Sequence, residues 1–449
     1  MSLAYMCRMS LEEQVLKRIS PDEEYRQFID GVVEHLLKKT RSEADELGLE
    51  VEIMLVGSVA KDTYVTSPDI DIFMLFPKQL PREELEKKGL ELAKRVIDGQ
   101  EKYAEHPYVH GEIQGLGVDI VPCFKLDDIT EMRSSVDRTP FHLEFVRKNL
   151  KPRQKDEVRL LKQFMKGIGV YGAEAKVEGF SGYLTELLII KYGDFASVLT
   201  EASHWTSGTT LWLEKRGRTK FKSHMVFYDP VDLNRNVASA LSIDSYALFI
   251  HACKEYLEEK RIEFFFPRER DPLAMPEMED LIASRGTSIV IVSFDRPEII
   301  DDNLYPQIRK TQEGLLNLLR ERDFVIIDSD FHAGDRISFT FELQDDVLTR
   351  CRRHVGPPVW MDHSERFLDK WENSGLSPPF IAGGRWIVLI EREYSNAVDL
   401  LANEAAKAAL GSDFKQMEGY NVIGGDEVFI PRAKPILSAL LDKRMNWEI

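Results

Sequence analysis

The run GSVAKDTYVTSPDIDIFMLFP, residues 57–77, constrains this chain more than any other stretch. It places Asp69 and Asp71 one residue apart amid Ile70, Ile72, Phe73, Met74, Leu75 and Phe76. So apolar a run predicts a buried strand, and side chains two apart on a strand share a face. Two carboxylates therefore project side by side, next to a Gly-Ser turn whose backbone can form a concavity of phosphate size. Like charges held together are unfavourable without a cation between them, and hard oxygen ligands suit Mg²⁺. Two solvated aspartates on a surface turn would need no cation, but unpaired charge is costly within an apolar run. Gly57 lets the backbone approach a phosphate, Ser58 offers both N–H and hydroxyl, and Lys61 adds a positive charge.

Composition narrows the class of protein. A chain of 449 residues is too long for one ordinary core, and about two to four domains are expected. With 43% hydrophobic and 30% charged residues it reads as a soluble globular protein, with no stretch of membrane-spanning length. The N-terminus, MSLAYMCRMSLEEQVLKRIS, turns acidic too soon for a signal peptide. Cys7, Cys123, Cys253 and Cys351 lie far apart with no CxxC pair, which argues against zinc or disulfides and for a reducing cytoplasm. The net charge of −17 disfavours general attraction to nucleic acid, but phosphates respond to local clusters. Two basic clusters stand out, one at Lys215, Arg216, Arg218, Lys220 and Lys222, the other at Arg350, Arg352, Arg353 and His354.

Periodicity along the chain predicts a helical start over 9–48, with Val15, Ile19, Phe28, Val32, Leu36 and Leu37 on a buried stripe. Strands are expected at 51–56, 69–76, 107–114 and 116–122, with a helix at 82–97, forming a head that ends near 145. Two helices separated by a glycine-rich turn follow at 155–195, burying Leu160, Leu161, Phe164, Met165 and Ile168. A helix at 244–261 precedes a linker between Pro267 and Pro276. Beyond it, a strand at 287–294, a helix at 303–321 and strands at 324–331 and 336–343 make a β-α-β-β pattern. A helix at 395–410 is the last clear element.

Further segments complete the pattern: VDIVPCF, SSVDRTPFHLEFV, VRLLKQFMKGIGVYGAE, GFSGYLTELLI and YDPVDLNRNVASAL. Together with the 57–77 run they resemble the nucleotidyltransferases of the DNA polymerase β superfamily, specifically the archaeal (class I) CCA-adding enzymes. The resemblance is dense over about residues 50–240 and thinner beyond. It implies an α+β, multidomain fold: a polymerase β-like nucleotidyltransferase head at 1–145, a helical central nucleotide-binding domain at 146–267, and an α+β C-terminal tRNA-binding body and tail at 268–449. Two-metal phosphoryl transfer needs a third carboxylate. Asp119 of VDIVPCF supplies it, facing away from Val118 and Ile120 on its strand. Asp69, Asp71 and Asp119 would ligate two Mg²⁺ ions. Many relatives carry Glu at the first of these positions, and Asp69 shortens that reach by one methylene.

By the same resemblance His142, Lys162 and Tyr171 contact the nucleotide, Lys162 and Tyr171 at its triphosphate, and Arg235 reads base edge and phosphates together with its rigid fork of donors. The implied activity is template-independent addition of C, C and A to tRNA from CTP and ATP. Cytosine and adenine both expose an exocyclic amine beside a ring-nitrogen acceptor, and uracil and guanine reverse that order. One donor and one acceptor in the pocket could therefore admit the first two and reject the others. The expected partners are the tRNA acceptor stem and T arm, gripped through the basic clusters (Lys215, Arg216, Arg218, Lys220, Arg352 and Arg353), and a second copy of the chain in a homodimer. The carboxylates alone are equally compatible with a poly(A) or other terminal transferase, whereas the longer motifs favour CCA addition. A non-catalytic RNA-binding protein would have no need of all three carboxylates.

Overall fold

The computed structural model describes residues 9–103, 107–417 and 419–449; Cys7 lies outside them. By contact the chain forms two compact units, one running to Glu269 and regaining Met445–Ile449, the other spanning Arg270–Arg444.

The first unit opens with α1 (Leu11–Ile19), capped by a reciprocal Ser10–Glu13 box, and α2 (Glu23–Glu46), capped by Asp22. Pro21 separates them, so the helical start is two helices; Phe28 of the expected stripe is exposed. Strand β1 (Glu52–Val56) leads into a one-turn helix α3 (Gly57–Lys61), then β2 (Ile70–Pro77), α4 (Arg82–Val96), β3 (Gly99–Tyr103), β4 (Pro107–Ile113) and β5 (Leu116–Lys125). The sheet order is β1-β2-β5-β4-β3, with β2 parallel to β5 and the other neighbours antiparallel. One face buries Ile70, Ile72, Met74, Val118 and Ile120 with residues of α2 and α4. The opposite face carries Phe73, Leu75 and Cys123, packed with Leu143.

A second core in this unit belongs to helices α5 (Thr139–Asn149), α6 (Gln154–Gly167), α7 (Gly182–Tyr192), α8 (Phe195–Ala202) and, after the short parallel pair β6 (Thr209–Leu211) and β7 (Met225–Phe227), α9 (Ile243–Glu258). Leu160, Leu161, Phe164, Met165 and Ile168 are all buried there, as their spacing predicts. Val15 and Ile19 of α1 join this helical core and not that of the sheet. So does Trp447, which stacks on Phe264 at 5.0 Å and donates its indole N–H to Glu255 at 2.7 Å.

The second unit begins with α10 (Met275–Arg285), a helix the sequence reading did not anticipate, which starts at the end of the stretch read as linker, then β8 (Ser288–Asp295), α11 (Asp301–Glu321), β9 (Ile326–Ala333) and β10 (Arg336–Leu343), the expected β-α-β-β. Strand β11 (Cys351–Pro358), α12 (Ser364–Trp371), β12 (Phe380–Ala382) and β13 (Arg385–Glu391) make a separate three-stranded sheet with its own helix. Helix α13 (Ala397–Glu404) is shorter than the expected 395–410, giving way to a 3-10 turn. Strand β14 (Asn421–Gly424) joins β8, and α14 (Lys434–Leu441) covers part of the β14-β8-β10-β9 sheet. No helix among the described residues is long and apolar enough to cross a membrane.

Candidate active site

The carboxylates stand where strand geometry puts them. Asp71 of β2 lies in register with Asp119 of β5, so the two side chains share a sheet face, and Asp69 sits one residue before β2 begins. Gly117 and Gly57 make room for them: a Cβ on Gly117 would meet Asp69 Oδ1 at 2.3 Å, and one on Gly57 would meet Asp71 Oδ2 at 1.8 Å. The close approach that requires glycine at 57 is thus to the Asp71 carboxylate. Its φ of +71° turns the chain out of β1, and residues 57–61 coil into α3 where a bare turn was expected. Burial, reinforced by the charges of Asp119 and then Asp69, pushes the Asp71 carboxyl up to about 7. Among the described residues no three carboxylate, thiol or imidazole groups converge closely enough to hold an ion as they stand. The three aspartates feel one another's charge without yet enclosing a common point.

Asp119 has a partner that strand reading missed. His110 of β4 lies directly opposite it, and the imidazole Nδ1 is 2.6 Å from Asp119 Oδ1. The signal was present in the sequence. Gln114 and Gly115 both take positive φ, the two-residue hairpin turn whose twist suits flanking strands, and counting back from it pairs 110 with 119.

Positive charge approaches from α3 and α6. The Lys61 ammonium lies 2.6 Å from Glu186 of α7, a carboxylate with no exposed side-chain surface, and Thr63 donates its hydroxyl to the other Glu186 oxygen at 2.7 Å. Lys162 is buried, donates to the Thr63 carbonyl at 3.0 Å and stands 3.9 Å from Glu186. Burial lowers its ammonium to about 8 despite the attraction of Glu186. It is not a solvated helix lysine. Lys166, one turn further on and absent from the sequence reading, is lowered by burial and feels the Asp69 charge. Its ammonium lies over the Tyr171 ring at 5.4 Å. Tyr171 bridges to Phe180 and packs its hydroxyl against Gly182. Asp62, just past α3, binds Arg26 at 2.7 Å, Lys155 at 3.0 Å and Arg159 at 2.5 Å, which ties the α3 turn to α2 and α6. Ser58 lies in the first turn of α3.

His142 and Arg235 meet at a residue the sequence did not single out. Asp229, fully buried, accepts from His142 Nε2 at 2.8 Å and Arg235 Nη1 at 3.0 Å through one oxygen. Its other oxygen accepts from the Tyr183 hydroxyl at 3.2 Å and the Val231 N–H at 3.0 Å. The His142 ring stacks on Tyr183 with centroids 3.9 Å apart. Burial opposes ionisation of Asp229, but these donors prevail and hold it below the ordinary carboxylate value. Burial lowers His142, with Asp229 only partly opposing, so the imidazole is neutral near pH 7. Lys61 contributes to the field at both Asp71 and His142. A lone acid in an apolar helix (Glu186) and the acid of YDP (Asp229) were the only sequence hints of these two hubs.

The basic clusters differ in form. Lys215, Arg216, Arg218, Lys220 and Lys222 are all exposed on one loop, anchored by the Tyr228 hydroxyl on the Thr219 carbonyl at 2.6 Å and by Thr219 on Asn234 at 3.0 Å. The other cluster is not one patch. Consecutive residues of β11 point to opposite faces, so Arg352 and His354 share one and Arg353 takes the other, its guanidinium over Phe380 at 6.0 Å.

A mixed sheet with acids in register on a parallel strand pair, fed by a glycine-led helical turn, defines the class: a nucleotidyltransferase with a polymerase β-like head. Residues 37–149 match the family model of a nucleotidyltransferase domain, 156–266 that of the second domain of tRNA nucleotidyltransferase, and 285–425 that of the C-terminal domain of CCA-adding enzyme. The CCA-adding enzyme of Methanosarcina acetivorans is 38% identical over 429 residues, covering 93% of this chain and 94% of its own length. That of Archaeoglobus fulgidus is 38% identical over 425 residues (93% and 95%), and that of Methanothermobacter thermautotrophicus 39% over 404 (88% and 87%). The chain belongs to the CCA-adding enzyme family of tRNA nucleotidyltransferases.

Proposed function

We propose that this chain adds C, C and A in turn to the 3′ end of tRNA from CTP and ATP, without a nucleic-acid template, on the site around Asp71. The observation that carries the assignment is the in-register pair Asp71–Asp119 with Asp69 beside it, three acids whose central member is driven up to about 7. Such repulsion favours a bound cation, and an all-carboxylate donor set fits Mg²⁺. Held by Asp69, Asp71 and Asp119, two Mg²⁺ ions would lower the pKa of the attacking RNA hydroxyl and neutralise charge on the departing pyrophosphate. His110, bonded to Asp119, orients that carboxylate. Lys61 and Lys162, gathered around Glu186, present positive charge to the triphosphate, with Gly57, Ser58 and Tyr171 completing its cradle. His142 and Arg235 face the nucleoside.

The exposed 215–222 loop and the arginines of β11 bear the tRNA acceptor stem and T arm, recognised by backbone and shape. A homodimer in the cytoplasm is the working form, which sedimentation of the purified chain checks. The decisive experiment uses tRNA lacking its 3′ CCA and each labelled nucleoside triphosphate. Wild type adds C twice and A once. Asp71→Ala loses incorporation by at least about 1,000-fold, a loss typical of removing a group central to charge stabilisation, and keeps tRNA affinity within about twofold. Near-normal incorporation by the variant at ordinary Mg²⁺ would remove the carboxylate assignment.

A further inference from the structure

Met445–Ile449 follow the second unit in the chain but belong by contact to the first. They meet it at the end of α6, the helix that carries Lys162 and Lys166. A helix leaves its last four carbonyls without partners of its own, and here each is answered. Phe164 O accepts from the Ile168 N–H at 3.0 Å, Met165 O from Val170 at 2.9 Å and Lys166 O from Gly169 at 3.1 Å. The fourth, Gly167 O, accepts from the Asn446 side-chain amide at 3.4 Å, a donor 279 residues away. Both neighbouring glycines are needed for this approach. A Cβ on Gly167 would meet the Phe264 carbonyl at 2.2 Å, and one on Gly169, whose φ is +84°, would meet Asn446 Nδ2 at 3.0 Å. Trp447 anchors the amide: its ring is fully buried, stacked on Phe264 and bonded to Glu255. Phe264 stacks in turn on Phe164 of α6 at 5.9 Å, and Gln163 of α6 donates to the Phe265 carbonyl at 2.7 Å. Directly past the cap the chain runs into Tyr171, with Val170 O accepting from the Phe180 N–H at 2.7 Å. The end of α6 therefore sets where Lys162, Lys166 and Tyr171 stand.

We propose that Asn446, anchored by Trp447, is a positioning residue for triphosphate binding. By capping α6 it fixes the turn that leads to Tyr171, so that the ammonium groups of the helix and the phenol are held together for the triphosphate. The proposal rests on the reading in which Lys162 and Tyr171 face the triphosphate. An uncapped end lets these groups spread, which weakens the bound ground state and the transition state equally, so the effect belongs in KM and not in kcat. It is also blind to the base, because every nucleoside triphosphate carries the same three phosphates.

Asn446→Ala and Asn446→Asp test it. Asn446→Ala should raise KM for CTP and for ATP by about fivefold, the usual worth of one hydrogen bond, with kcat and tRNA affinity within about twofold of wild type. Asn446→Asp sets an acceptor against the Gly167 carbonyl and should raise both KM values further. An unchanged KM, a loss confined to kcat, or an aspartate variant no worse than the alanine one overturns the proposal. Hydrogen exchange gives a second measurement that needs no activity. The amides of residues 168–171 should exchange several-fold faster in Asn446→Ala, and those of α7 and α8 at the wild-type rate. A merely structural role would speed exchange through all three helices together, and that outcome also overturns the proposal. Lys162→Met, an apolar side chain of similar length, separates the two readings. If it binds CTP normally, the triphosphate assignment falls and takes the proposal with it. If it weakens CTP binding while Asn446→Ala does not, the proposal falls alone.

Discussion

Asp71 sits in a field that opposes its own ionisation. Burial is the largest cause, Asp119 and Asp69 add to it, and together they lift the carboxyl from 3.8 to about 7. A group whose folded value is raised stabilises the fold below its unfolded value, and that stability is lost as pH climbs through the folded value. The window here runs from about pH 4 to about pH 7. Each unit is worth about 1.4 kcal/mol, and screening at a half-buried site leaves roughly 2 kcal/mol of the whole. In metal-free protein Asp71→Asn should therefore exceed wild type in stability by about 2 kcal/mol at pH 8 and match it near pH 4.5. Urea unfolding at the two pH values measures this. Added Mg²⁺ should narrow the gap at pH 8 by stabilising wild type alone, and a gap independent of pH would contradict the mutual repulsion of the three acids.

Among elements, α6 and α7 do for the site what neither does alone. Lys162 of α6 would be an isolated buried ammonium without Glu186 of α7, and Lys61 of α3 shares the same carboxylate. One acid thus holds three helices at their common edge. Removing its charge leaves two ammoniums facing each other in a poorly solvated space, and breaking a buried pair in this way costs about 3–5 kcal/mol. Glu186→Gln should accordingly unfold more easily by about 3 kcal/mol and bind CTP less tightly. Denaturant unfolding and equilibrium CTP titration check the two effects separately. A stable variant with unaltered CTP affinity would show that the lysines do not depend on their shared anion.

Across the whole molecule, a net charge of −17 must coexist with a polyanionic substrate. In the proposed reading local surfaces resolve this, and the 215–222 loop is the stronger candidate of the two, since its cations are exposed together beside the open cleft that Lys222 and Arg235 line. Neutralising Lys215, Arg216, Arg218 and Lys220 should weaken tRNA binding and flatten the log–log salt slope by roughly 0.7–0.9 for each lost phosphate contact. Reversing Arg352 and Arg353 should flatten it by no more than about one contact, because the strand turns them to opposite faces. A salt titration of tRNA affinity for each variant measures both slopes. An unchanged slope for the loop variant would place the RNA track elsewhere.

Strand alternation alone predicted that Asp69 and Asp71 share a face and that Asp119 faces away from Val118 and Ile120; the register that sets Asp119 beside Asp71 came from the folded sheet. Helical spacing alone picked out the buried residues of α6. Both readings depend on local backbone periods that the residue order displays directly. The β-α-β-β order of the second unit was legible for the same reason. His110 was within reach too, since a two-residue hairpin turn sets register by counting. Contacts between residues distant in sequence were not legible. Asp229 lies 87 residues from His142, Glu186 lies 125 from Lys61, and Trp447 lies 192 from the glutamate it bonds. No period in the chain encodes those pairings. They arise only when separate helices and turns pack, and packing buried Lys162 and set a run of arginines on two faces of a strand. The sequence by itself displayed the groups to which the proposed reading assigns the chemistry. Their partners, and hence their charge states and the hydrogen each can give or take, were decided by the tertiary structure, because burial and hydrogen bonding shift ionisation only where the folded chain excludes water.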